Sequence, residues 1–113
     1  MKSPKPAQSG ERRAVVLYVD DDRANLLAFR AIAEPTYEVV VARSGDEALA
    51  LISQNPDIAV LMADQRMPGM SGIDLCERVQ SSHPDIVRML VTAYSDLQAA
   101  IAATSTTNQG AAA

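Results

Sequence analysis

Two short apolar runs constrain this chain more than any other feature. Ala14-Val15-Val16-Leu17-Tyr18-Val19 ends in the triplet Asp20-Asp21-Asp22, and Ile58-Ala59-Val60-Leu61-Met62-Ala63 ends in Asp64. Runs of this length bounded by turn residues read as buried parallel strands, although periodicity alone does not separate a buried strand from a buried helix. If both are parallel strands of one sheet, their C-terminal ends share an edge, where open α/β sheets bind ligands. Three or four carboxylates then meet there. Such a cluster is costly unless a cation holds it or one of its members reacts.

The rest of the chain alternates in the same way. A helix is expected from Asp22 to about Ala33, with Leu26, Leu27, Phe29 and Ile32 as its apolar positions and Pro35 ending it. Tyr37 to Val41 reads as a second strand. Ser44-Gly45-Asp46-Glu47 then supplies a cap and first-turn acids for a helix through Ile52. Asn55-Pro56-Asp57 turns the chain into the third strand, and Ser71 or Gly72 opens a helix running to His83-Pro84. Ile86 to Val91 forms a fourth strand ending at Thr92, and Ser95 caps a last helix from Asp96 to about Ala103. Alternating βα units imply a doubly wound parallel sheet with right-handed crossovers. Four units are counted. The segment Thr104 to Ala113 has no fifth strand pattern.

Composition excludes several classes. A chain of 113 residues, 48% hydrophobic and 21% charged, has the length and balance of one globular domain. Positions 1–13 read as a flexible lead-in without the apolar stretch of a secretory signal, and 14–113 as the domain. No apolar run approaches the roughly 18 residues of a membrane span. One cysteine, Cys76, allows no internal disulfide and fits a reducing, cytoplasmic compartment. A formal charge of −4 without a basic stripe argues against direct nucleic-acid binding.

Asp20, Asp21 and Asp64 are therefore the candidate site. Mg²⁺ prefers one or two carboxylates with waters and phosphate oxygens, and a carboxylate beside it can attack phosphorus to give an aspartyl phosphate. Thr92, on the same edge, is placed to offer its hydroxyl to a phosphoryl oxygen. Each residue also has a plainer reading. Asp20 to Asp22 fit a helix N-cap with favourable dipole charges, Asp22 being the favoured cap, Asp64 fits a turn before Pro68-Gly69, and Thr92 a cap for the following helix. His83 reads as a surface turn residue and Cys76 as a small core residue. Met67 and Met70 read as loop packing, and Gly69 and Gly72 as turn and close-packing glycines.

Val-Asp-Asp-Asp at 19–22, the stretch from Asp64 through Pro68-Gly69 to Gly72, and Val91-Thr92-Ala93-Tyr94 together resemble the receiver domain of two-component response regulators. The segment from Ala42 to Leu49 fits the opening of that family's second helix. The matches run in order from about Val15 to Ile101. The resemblance implies a flavodoxin-like fold, truncated here after the fourth βα unit. It implies Asp64 as phosphoacceptor for a histidine kinase or phosphotransfer protein, and Asp21 as a direct Mg²⁺ ligand. Asp20 would act through water, Arg66 through its backbone carbonyl, and Thr92 as the switch hydroxyl. Arg66 and Tyr94 occupy positions where the family tunes phosphoryl lifetime. Such modules are not enzymes beyond slow self-phosphorylation and self-dephosphorylation, and they often serve an output domain in a longer chain.

The sequence departs from that pattern at its far end. The family's fifth-strand lysine has no counterpart, since Lys2 and Lys5 are the only lysines, and the aromatic switch strand and fifth helix have none either. The fourth strand is then expected to be an exposed edge open to pairing with a second copy. An alternative follows, a phosphorylation-independent pseudo-receiver acting as a docking or dimerisation module. An aspartyl phosphatase is disfavoured, because Arg66 is a poor general acid.

Overall fold

A computed structural model describes residues 13–92. Its elements are β1 (Val15–Val19), α1 (Arg23–Ala33), β2 (Glu38–Ala42), α2 (Gly45–Gln54), β3 (Ile58–Asp64), α3 (Gly72–Ser82) and β4 (Val87–Val91). They form one parallel sheet in the order β2-β1-β3-β4. This is the flavodoxin-like order, with its switch point between β1 and β3, where the chain reverses its direction of travel across the sheet. The expected strands and helices within these residues are all present, with ends shifted by one or two positions. The lead-in through residue 12, the helix expected at 96–103 and the segment in which no fifth strand was expected lie outside the described residues. Arg13, assigned above to the lead-in, hydrogen-bonds through its guanidinium to the carbonyl of Glu34 at 2.7 Å.

Alternation along the strands sorts side chains onto two faces. From β1, Val15, Leu17 and Val19 enter a buried cluster with Ala48 and Ile52 of α2 and Leu75 and Val79 of α3. Val16 and Tyr18 point the other way, and the Tyr18 ring stacks on Phe29 of α1 at a centroid distance of 4.4 Å. Helices thus cover both faces, which is why β1 is buried along its whole length. On β3, Ile58, Leu61 and Ala63 all join the α2/α3 side although 58 and 61 are an odd number apart. A register shift between Val15 and Val16 explains this. Val15 pairs with Ile58 but Val16 with Val60, so Ala59 is an extra residue that resets the alternation.

Two expectations for apolar positions need correction. Leu27 and Ile32 do not pack inward; they are 60% and 79% exposed. The buried stripe of α1 runs through Leu26 and Ala33, spaced seven apart, with Phe29 between them half-buried, and at about 100° per residue Leu27 and Ile32 fall off that stripe. The fourth strand is an edge among the described residues, pairing only with β3, and it exposes Val87, Met89 and Leu90.

Helix ends are capped as the sequence implies. Asp22 accepts from the Ala24 N–H and caps α1, and Ser44 accepts from the Glu47 N–H at the start of α2. Ser71 and Asp74 form a reciprocal capping box on α3. His83 closes α3, its N–H donating to the Val79 carbonyl, and Cys76 is half-buried beside the core.

Candidate functional site: a carboxylate cluster at the sheet edge

Because β1 and β3 are parallel neighbours with Val19 opposite Ala63, the next residues, Asp20 and Asp64, come out side by side. Asp21 follows in the bend before α1. One carboxylate oxygen from each of Asp20, Asp21 and Asp64 lies within 4.8 Å of the others. Asp22, the fourth acid, is spent on capping α1. On the other side of β3, Asp64 pairs with Val91, and Thr92 follows directly, half-buried on the same edge. The pairing continues one step beyond the strands, with the Gln65 N–H donating to the Val91 carbonyl at 2.9 Å. The three strand ends singled out in the sequence are therefore brought together.

The three carboxylates differ in environment. Asp20 is 2% exposed, the only buried charged side chain among the described residues. Asp21 is exposed and Asp64 half-buried. Asp20 survives burial because its oxygens are occupied. Oδ2 accepts from the Tyr18 hydroxyl at 2.8 Å and from Asn25 Nδ2 at 3.1 Å, and Oδ1 accepts from the Asp22 backbone N–H at 2.9 Å. The Tyr18 hydroxyl is correspondingly held protonated far above its usual range, first by burial, then by its bond to Asp20 and the nearby negative charge. The carboxyl of Asp64 is also raised above its ordinary value of 3.8. Burial is the main cause and repulsion from Asp20 and Asp21 adds to it, while the backbone N–H groups of Arg66 and Gln65 pull the other way.

The loop after Asp64 packs closely against the start of α3. Gly72 opens α3 directly behind it, and a Cβ there would lie 2.6 Å from the Asp64 carbonyl oxygen. Gly69 has φ +77°, a left-handed conformation natural to glycine. Met67 is buried in the core, and Met70 packs over Gly45. The Gln65 side chain accepts from the Ile73 N–H at 2.9 Å, tying the loop to the start of α3. Arg66 is exposed, and its backbone N–H reaches Asp64.

The donor set suits a small hard cation. Carboxylate oxygens are the ligands Mg²⁺ takes, usually one or two with the remaining positions left to water. Octahedral ligands at 2.0–2.1 Å stand roughly 3 to 4.2 Å apart, so a cluster spanning up to 4.8 Å accommodates one member acting through water.

Sequence reasoning missed Tyr18 and Asn25. A detectable signal existed for the first. Tyr18 is the one polar-tipped residue in a strand otherwise made of Val and Leu, and a buried tyrosine hydroxyl needs a partner.

Comparison with known proteins agrees with the fold. The family model described as the response regulator receiver domain matches residues 16–111. The chain is 39% identical over 94 residues to the DNA-binding transcriptional regulator NtrC of Escherichia coli, covering 81% of this chain and 20% of that protein. It is 36% identical over 92 residues to the hydrogenase transcriptional regulatory protein HoxA of Cupriavidus necator, covering 81% and 19%. The chain thus spans about a fifth of the length of these relatives. Among solved structures it resembles a receiver domain protein from Clostridium thermocellum at a TM-score of 0.70, 29% identity, and coverage of 82% of this chain and 75% of that one. It also resembles the response regulator TrrA of Thermotoga maritima, solved with Mg²⁺ and BeF, at 0.67, 28% identity, and coverage of 75% and 74%.

Proposed function

The chain belongs to the response regulator receiver domain family, and on that premise we propose that it is a phosphoacceptor module of a two-component phosphorelay, with Asp64 as acceptor. The observation that carries this reading is the convergence of Asp20, Asp21 and Asp64 within 4.8 Å at adjacent strand ends, with Thr92 next on the same edge. A carboxylate oxygen of Asp64 attacks the phosphorus of a phosphohistidine. The new P–O bond forms as the P–N bond breaks, and the leaving imidazole nitrogen takes a proton. Asp21 and Asp64 would hold Mg²⁺ directly, Asp20 through water, and the Arg66 carbonyl would complete the protein ligands. The ion would supply neutralisation of the charge that otherwise repels the incoming phosphoryl group. Thr92 donates its hydroxyl to a phosphoryl oxygen.

In this reading the partner is a histidine kinase or phosphotransfer protein, and the module works in the cytoplasm. It serves an output domain in a longer chain, as the length of its relatives suggests. Turnover is limited to slow self-phosphorylation and hydrolysis of the aspartyl phosphate by water. No helix among the described residues is long and apolar enough to cross a membrane.

Incubation with acetyl phosphate and Mg²⁺, read by intact-mass spectrometry, tests the assignment. Wild type gains one phosphoryl group and Asp64→Asn gains none. Equal labelling of the two refutes it. The exposed Val87, Met89 and Leu90 on edge strand β4 favour a second reading, a phosphorylation-independent docking or dimerisation module. That reading is adopted if no adduct forms while the chain sediments as a dimer.

A further inference from the structure

Asp20 is held by more donors than its neighbours in the cluster. An aspartate is seldom fully buried unless paired, and the donors that hold this one are neutral. Its three hydrogen bonds come instead from Tyr18 on β1, Asn25 on α1 and the backbone of Asp22 between them. An ionised carboxylate offers about four lone-pair positions. Both positions on Oδ2 are filled, and one on Oδ1 is filled by the Asp22 N–H. A single position on Oδ1 remains.

The Tyr18 donor is itself fixed. Tyr18 is 6% exposed, sits in register with Val41 on one side and Met62 on the other, and stacks on Phe29 at an interplanar angle of 19°. Its hydroxyl therefore cannot swing away without breaking the α1–sheet contact. Asn25 is exposed but lies in the first turn of α1, directly after the Ala24 N–H that Asp22 caps. Asp21 and Asp64 lack this enclosure and are the more solvent-exposed members.

We propose that Tyr18 and Asn25 are positioning residues for the metal site, clamping Asp20 so that it presents one oxygen lone pair, while Asp21 and Asp64 remain free to adjust. The proposal rests on the Mg²⁺-dependent reading above and adds two residues to it. Groups that hydrogen-bond to metal-binding side chains commonly contribute about 10–100-fold to metal affinity. Tyr18→Phe removes only the hydroxyl and keeps the ring on Phe29. Asn25→Ala removes the second donor from a helix, where alanine is the best former.

The test is Mg²⁺ binding alone, by isothermal titration calorimetry on the full chain, with circular dichroism confirming the fold. Tyr18→Phe and Asn25→Ala are each expected to weaken Mg²⁺ binding about tenfold. A merely structural role is separated by a double-mutant cycle. In an Asp20→Asn background, Tyr18→Phe should cause no further loss. Wild-type affinity in both single variants, or an undiminished tenfold loss in the Asp20→Asn background, overturns the proposal while leaving Asp64-dependent Mg²⁺ binding intact. Should Tyr18→Phe fail to fold, Asn25→Ala decides alone. Absence of Mg²⁺ binding by wild type overturns this inference and the parent reading together.

Discussion

Asp64→Asn should stabilise the metal-free protein at neutral pH. The ionised Asp64 faces Asp20 and Asp21 with ligand oxygens within 4.8 Å. At that distance two unit charges repel by about 0.9 kcal/mol in water and by about 3.5 kcal/mol at an effective dielectric of 20. Asp21 is exposed and Asp64 only half-buried, so solvent screens most of this and the water-like limit is the better guide. Asparagine still accepts from the Arg66 and Gln65 N–H groups, but more weakly than a carboxylate. The net expectation is a gain of about 1 kcal/mol, or roughly 5 °C in Tm for a domain of this size. The pH dependence has a definite sign. The Asp64 carboxyl is raised in the folded state. Its contribution to stability is therefore fully present below the ordinary value of 3.8 and lost as pH rises through the folded value. The variant should accordingly lead wild type at pH 7, and the lead should shrink as pH falls toward 3.8. Urea unfolding in EDTA across pH 4 to 7 measures it. Adding Mg²⁺ should reverse the ranking, since an ion that binds the folded wild type stabilises it by mass action. A variant that is less stable at pH 7 in EDTA, or a lead independent of pH, refutes the electrostatic account of the cluster.

Two other substitutions probe the frame around the site. Gly72→Ala drives a methyl into the Asp64 carbonyl at 2.6 Å and Leu90 at 2.7 Å, whereas Gly45→Ala meets the flexible Met70 side chain. The first should cost about 2–3 kcal/mol and impair phosphorylation of Asp64, and the second less than half of that, as judged by urea midpoints and acetyl phosphate labelling. Asp22→Ala should cost about 1 kcal/mol of stability through the lost α1 cap, read as a lower urea midpoint; an unchanged midpoint would refute the capping role.

What the sequence discloses, and what it withholds, follows from the range of the interactions. Caps act over two to four residues, so Asp22, Ser44 and Ser71 are legible from spacing alone. The gathering of Asp20 and Asp64 needs only parallel strands of matched length, and the apolar runs declare those. Facing directions are harder. Leu27 and Ile32 look apolar enough for a core, but the stripe of α1 is set by Leu26 and Ala33, which contact with the sheet selects. The bulge at Ala59 leaves no mark in composition, yet it decides that both Ile58 and Leu61 are buried.

The sharpest case is Asp20 beside Asp21. They are identical in type and adjacent in sequence, and nothing local distinguishes them. One is 2% exposed with three donors, the other open to solvent. The difference arises because Asp20 still continues β1, its N–H donating to the Ala42 carbonyl at 3.1 Å, while Asp21 has already left the sheet. A residue inside the ladder has its side chain aimed by the pleat, and on this strand the even positions face α1, where Asn25 and the Tyr18 hydroxyl wait. The contrast between an enclosed carboxylate and a solvent-exposed one is thus set by where the strand stops and by the face its pleat turns to α1.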